Sequence, residues 1–170
     1  MNCDGKFFDE ITQAATRPIE GRICLASIQD SRKKLYAKEF TDNLLLSLLH
    51  CTRSEYQTPQ KALEIAFSAG FFCQMLDSMC ERDDMEKTNF ILSVLGDNVF
   101  TMDGRMVGIL LNCQAETIKN EHDELKKRAV EGCQFLTYQS VWDMPVTELY
   151  TMCFAMFLVG CSVNTRYKHK

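Results

Sequence analysis

A chain of 170 residues, 46% of them hydrophobic, supplies one domain with a substantial core and too little material for two. Nineteen Lys and Arg against 23 Asp and Glu leave a formal charge of -4, and the charges are mixed, which excludes the concentrated basic surface that nucleic acid requires. Nine cysteines, an odd number set mostly inside apolar helical patterns, read as small hydrophobes in a reducing compartment.

Residues 1–30 are weakly patterned. Ile11, Ala14 and Ala15 suit a short helix, Pro18 and Gly21 break it, and Ile23 to Ile28 continue another. No basic start with an apolar centre and a small-residue cleavage site is found there, and no Asn-x-Ser/Thr sequon occurs, so the cytosol is the expected location. From Lys34 to about Thr52, Leu35, Phe40, Leu44, Leu45, Leu48 and Leu49 recur at three- and four-residue spacing and predict an amphipathic helix. Thr58 is then a cap and Pro59 a first-turn proline, opening a second helix to roughly Cys80. Its Leu63, Ile65, Ala66, Phe67, Phe71, Phe72, Met75, Leu76 and Met79 exceed one core-facing stripe, so part of that face must be covered or bind something.

Glu81 to Lys87 is charged, and Phe90, Ile91, Val94 and Leu95 predict a short helix stopped at Gly96. After a break, Met106, Val107, Ile109, Leu110, Leu111, Cys113 and Ala115 leave no polar face, which predicts the central, surrounded helix of the bundle. Ile118 to Tyr138 follows as a long helix with Leu125, Ala129, Cys133 and Leu136 turned inward; Glu121-His122-Asp123-Glu124 reads as its solvated face. Asp143 caps a last helix with Pro145 in its first turn and Val146, Leu149, Tyr150, Phe154, Phe157 and Leu158 along it. The apolar run Met152 to Val163 is interrupted by Gly160 and Ser162 and is shorter than the roughly 20 residues of a bilayer span. Residues 164–170 form a basic tail, read as solvated. The fold class is therefore all-α, a single domain over residues 1–170.

Catalytic groups are sparse. His50, His122 and His169 lie on separate segments outside any metal-ligand spacing, and neither a Gly-rich phosphate loop nor a Gly-x-Ser-x-Gly turn occurs. No metal or cofactor is expected. A cysteine nucleophile remains as a third reading, distinguished by one unusually reactive thiol.

What remains is recognition of another protein by shape. An amphipathic helix laid in an apolar groove needs anchoring pockets and a charged pair to fix its register. Phe72, Met75 and Met79 on the second helix, Phe90, Val94 and Leu95 before the break, and Met102 and Val107 beside Arg105 are the candidates. Each of these apolar residues, taken singly, also reads as ordinary core. Arg105 sits where a helix N-terminus disfavours a cation, so an acidic partner is expected. Asp97 or Asp103 offers an internal one. Gly104 lets an incoming backbone approach, and a guanidinium matches a carboxylate by forked hydrogen bonding.

Asp97 to Arg105, ending in Gly104-Arg105, and Trp142-Asp143-Met144-Pro145-Val146-Thr147-Glu148-Leu149-Tyr150 resemble the first and second homology regions of the Bcl-2 family of apoptosis regulators. The likeness covers roughly Leu35 to Phe157. It implies a Bcl-2-like bundle around a central hydrophobic helix, with Gly104-Arg105 meeting the Asp of death-promoting BH3 helices. The family's Asn-Trp before Gly-Arg is replaced by Met102-Asp103, and Asp103 weakens attraction for an acidic ligand. Ala66-Phe67-Ser68-Ala69-Gly70-Phe71 lacks the Leu and Asp of a death ligand. The compact outline is similar to the minimal members carried by large DNA viruses. The resemblance thus implies an anti-apoptotic protein that sequesters BH3 helices in the host cytoplasm or peripherally at the mitochondrial outer membrane. The alternative is an adaptor on the same fold that self-associates as a homodimer or modulates inflammatory signalling.

Overall fold

The computed structural model describes residues 31–51, 53, 56–79, 84–97, 99, 115–133 and 138–163. They form five α-helices: α1 (Ser31–His50), α2 (Pro59–Met79), α3 (Asp84–Asp97), α4 (Ala115–Glu131) and α5 (Val146–Val163). A short 3-10 turn, Val141–Asp143, precedes α5. No strand occurs among the described residues, and the all-α class stands. Residues 1–30, the segment from Thr101 to Gln114, Leu136 and the tail 164–170 lie outside the described residues.

Local chemistry explains several helix ends. Thr58 Oγ1 accepts the backbone N–H of Lys61 at 3.2 Å, and Pro59 opens α2 as the spacing predicts. Gly96 falls within the last turn of α3 rather than ending it. Asp84, Glu86 and Lys87 of the charged segment belong to that same helix, which begins at Asp84, while Glu81 to Asp83 lie outside the described residues. The helix expected over Ile118 to Tyr138 ends sooner, at Glu131, where Gly132 donates to the carbonyl of Arg128 at 3.0 Å. Asp143 does not cap α5. It belongs to the 3-10 turn, which Ser140 caps by accepting from the Trp142 N–H. The carbonyl of Pro145 accepts the first α5 bonds, from Glu148 and Leu149 at 3.1 and 3.0 Å.

Among the described residues the most enclosed helices are α5 and its packing partner α2. Thirteen of the 18 residues of α5 are buried, between Leu149 and Val163, and beyond its first turn only Tyr150 and Phe154 are partly exposed. Its apolar stretch runs from Val146, longer than the Met152 to Val163 run picked out in the sequence, and is long and apolar enough to cross a membrane by length and composition. In this structure most of it is packed inside the bundle. The central role expected of Met106 to Ala115 concerns residues that, up to Gln114, are outside the described set; Ala115 opens α4.

The most extensive interface joins α2 and α5, and α1 packs on both. Two glycines set its closeness. A Cβ on Gly70 would overlap the carbonyl oxygen of Phe157, and a Cβ on Gly160 would overlap that of Phe67. Each helix therefore rests backbone against backbone on the other, and the Cys161 thiol donates to the Gly70 carbonyl at 3.3 Å. Around this crossing Phe67, Phe71, Phe72, Phe40 and Phe157 are all at most 1% exposed, with Phe40 and Phe157 rings 5.7 Å apart. The inner stripe of α1 is Tyr36, Phe40, Leu44 and Leu48; Leu35, one residue off it, is 40% exposed.

Overpacking a tight core costs typically about 1–3 kcal/mol, whereas Gly→Ala within a helix otherwise gains roughly 1 kcal/mol. Gly70→Ala and Gly160→Ala are expected to lower the melting temperature by several degrees. Gly96→Ala, whose Cβ would meet only the Asn43 side chain at 3.5 Å, is expected to hold or raise it. Calorimetric melts of the three variants check the contrast.

Candidate helix-binding edge

α2 and α3 pack against each other, and six of the ten predicted site residues fall on these two helices. Phe72 and Leu95 are core: each is 1% exposed. Inward-facing positions on two packed helices leave them no surface for a ligand in this state, so they support the edge from beneath. Met75 and Val94 are half-buried and pack on the same core. Phe90 is 36% exposed. Met79 is the last residue of α2, and its side chain is outside the described set. Met102, Gly104, Arg105 and Val107 are likewise outside it.

A polar clamp fastens this end of the bundle. Arg32 Nη2 of α1 lies 3.2 Å from Asp77 Oδ1 and 3.4 Å from Oδ2 of α2, the closer contact being an ion pair without hydrogen-bond alignment. Asp77 is 8% exposed, so the carboxylate depends on the cation that meets it. The Tyr36 and Thr88 hydroxyls, 3.5 Å apart, tie α1 to α3. Burial raises the Tyr36 pKa against the opposing hydrogen bond from Thr88, keeping the phenol neutral. The clamp was missed in the sequence although a signal exists. Gly70, Cys73 and Asp77 are spaced i, i+3, i+7, which puts a carboxylate on the inward stripe.

His122 overturns an expectation. It lies on no solvated face but is fully buried between α4 and α2. Its ring stands edge-on to Phe71 at 4.9 Å and tilted against Phe67 at 5.9 Å. Nδ1 is 2.9 Å from Asp123 Oδ1, and Nε2 is 3.0 Å from Ser68 Oγ. A carboxylate only accepts, so Nδ1 carries the proton and Nε2 accepts from the Ser68 hydroxyl. Burial lowers the imidazole pKa to about 4, overcoming the support of Asp123. At neutral pH the His122–Asp123 contact is thus a hydrogen bond to a neutral ring. Burial raises the Asp123 carboxyl, but hydrogen bonds from Lys119 and His122 prevail and lower it. The period again carried the signal, since His122, Leu125 and Ala129 share the i, i+3, i+7 stripe. Ser–His–Asp geometry here is inverted for nucleophilic chemistry: the serine is sealed in the core, and only the aspartate reaches solvent.

The second sequence motif is partly displayed. Trp142 is 58% and Val146 54% exposed, whereas Val141, Met144 and Leu149 are buried. Val141 donates to the Gln57 carbonyl at 2.6 Å, and Gln57 Nε2 to that of Cys51 at 2.7 Å, pinning this turn to the α1–α2 connection. The turn that carries Trp142 is therefore held beside the start of α2, and Met75 lies about 24 Å along that helix from Pro59. A surface cleft of about 200 Å³ between α2 and α4, lined by Gln60, Glu64, Lys126, Lys127, Val130 and Glu131, is also remote from the α2–α3 edge. Four of those six side chains are charged, unlike an apolar helix groove. Among the described residues no three His, Cys, Asp or Glu side chains are arranged to hold a metal.

No protein-family model, no curated protein and no solved structure matches this chain.

Of the described cysteines, Cys73, Cys133, Cys153 and Cys161 are buried free thiols and Cys51 is part-exposed. Burial pushes Cys133 and Cys153 up to about 12, and burial with the neighbouring Cys161 thiol raises Cys73 as well. Native alkylation resolved by peptide mass is expected to label Cys51 well before those four, all of which become reactive on unfolding.

Proposed function

We propose that this protein is an anti-apoptotic Bcl-2-like factor that captures amphipathic BH3 helices of pro-apoptotic proteins along the α2–α3 edge. The observation that carries the reading is the gradation of apolar burial on α2 and α3: Phe72 and Leu95 in the core, Met75 and Val94 half-buried against that core, and Phe90 36% exposed. A visiting helix presents anchors at i, i+3 or i+4, and i+7, and such an edge receives them without opening the core. The sequence adds Gly104-Arg105 ahead of an apolar segment, and a guanidinium there would receive the ligand's carboxylate. In this reading the protein acts without catalysis, in the cytoplasm of a host cell or at the mitochondrial surface, and the viral parallel supplies the setting.

A second reading, an adaptor on the same bundle that self-associates, is favoured by a different observation. Trp142 and Val146 display large apolar surface on the turn that enters α5, and exposed aromatic surface of that kind is characteristic of protein interfaces.

Arg105→Glu is expected to weaken binding of BH3 peptides by tens to thousands of fold, on the order of 2–5 kcal/mol, with helicity and melting preserved. Unchanged affinity in calorimetric titration overturns helix capture. Trp142, the sole tryptophan, separates the two readings by acrylamide quenching. Peptide bound at the α2–α3 edge leaves the indole quenchable, whereas self-association shields it in proportion to protein concentration.

A further inference from the structure

The buried Ser68–His122–Asp123 chain lies at the interface that holds α4 to the bundle. α4 is the most polar of the five helices: of its 17 residues, five are acidic and four basic. From Lys119 onward its buried side chains are His122, Leu125, Ala129 and Val130. It packs chiefly on α2 and slightly on α5, whereas α2 and α5 share the glycine-lined crossing. One side chain in four of the α4 docking stripe is therefore ionisable, and it is the one that lies against two phenylalanine rings.

We propose that His122 is an acid-released latch: protonation of its imidazole undocks α4 from α2, uncovering the Phe67 and Phe71 face, while the α2–α5 crossing stays closed. The reason is the asymmetry of the ring's surroundings. A neutral imidazole satisfies both nitrogens, giving a proton to Asp123 and accepting one from Ser68. An imidazolium in the same place faces Phe67 and Phe71, with Asp123 the principal supporting charge among the described residues and Lys126 and Lys119 repelling it. Ser68 is the only polar α2 side chain bonded to it. The titratable residues of α2 are Lys61, Glu64, Cys73 and Asp77, of which Glu64 lines the cleft with Lys126. α5 brings Glu148 as its only charged group, in its first turn, together with Tyr150, Cys153 and Cys161. None of these is among the principal influences on the ring, which apart from burial all come from α4 itself.

The sign follows from linkage. The docked imidazole titrates at about 4 and the undocked one at its ordinary 6.5, so the undocked state binds more protons between those limits. Docking is complete above pH 6.5 and weakens as pH falls toward 4. Between pH 7 and pH 5 the undocking equilibrium is expected to rise about twentyfold.

Hydrogen exchange read as protection factors, corrected for the intrinsic pH dependence of exchange, tests this on the full chain. Amides of Glu121–Glu131 should lose about twentyfold in protection from pH 7 to pH 5, those of Phe67–Gly70 and Phe157–Gly160 much less, and His122→Gln should abolish the difference. The surface change Lys126→Glu, which replaces a repelling cation by an attracting carboxylate, should shrink the loss well below twentyfold. Loss spread evenly over all helices, no loss in α4, or a loss unchanged by Lys126→Glu overturns the latch, whether or not His122→Gln folds. The outcome is independent of whether the α2–α3 edge binds a helix.

Discussion

The rest of this bundle depends on two helices touching through their backbones. At the crossing of α2 and α5, Gly70 faces the Phe157 carbonyl and Gly160 faces the Phe67 carbonyl, with the Cys161 thiol bridging to the Gly70 carbonyl. No side chain intervenes at those points, so the axes approach more closely than bulky residues allow, and the large rings are displaced to either side. Phe67, Phe71 and Phe157 then fill the flanks, and α1 closes over them with Phe40, Leu44 and Leu48. The arrangement also explains how α5, apolar along most of its length after Glu148, is tolerated. A helix without a polar face must be surrounded, and close contact on one side lets α1, α2 and α4 cover it.

The outer helices are held differently, by single directional contacts set into apolar stripes. Arg32 meets Asp77, the Tyr36 hydroxyl meets Thr88, His122 joins Ser68 to Asp123, and Val141 reaches the Gln57 carbonyl. Contacts of this kind contribute little net stability when made, but a buried group left without its partner is costly. They therefore act on register more than on depth: each allows one alignment of its helix and penalises slippage. The distinction between the two kinds of contact matters for motion, since an apolar crossing is indifferent to pH while a buried imidazole is not.

The proposed binding edge draws on both features. The clamp at Arg32, Tyr36, Asp77 and Thr88 fastens α1 to the C-terminal half of α2 and to α3, the same elements that carry Met75, Val94 and Phe90. An edge meant to receive a helix benefits from walls that are already fixed, because ordering them on binding would subtract from affinity. Trp142 belongs to the opposite end of α2, so a ligand at the edge and a partner at the tryptophan would not compete for the same surface.

Periodicity and punctuation by themselves determined much of this protein. The three- and four-residue spacing of Phe40, Leu44 and Leu48, the Thr58-Pro59 start of α2 and the Leu125, Ala129, Cys133 stripe all stand in the structure, because helix formation and facing are local properties. What the sequence read wrongly were residues whose environment comes from elsewhere in the chain. His122 sits among acidic neighbours in sequence but beside Phe71, 51 positions away, in space. Gly160 reads as an interruption of an apolar run until Phe67 is laid across it. Asp143 has the composition of a cap, yet Ser140 three residues earlier turns the chain first. Periodicity could hint at the burial of His122 and Asp77, but charge balance and backbone clearance are set by the partner helix and became legible only when the helices were packed together.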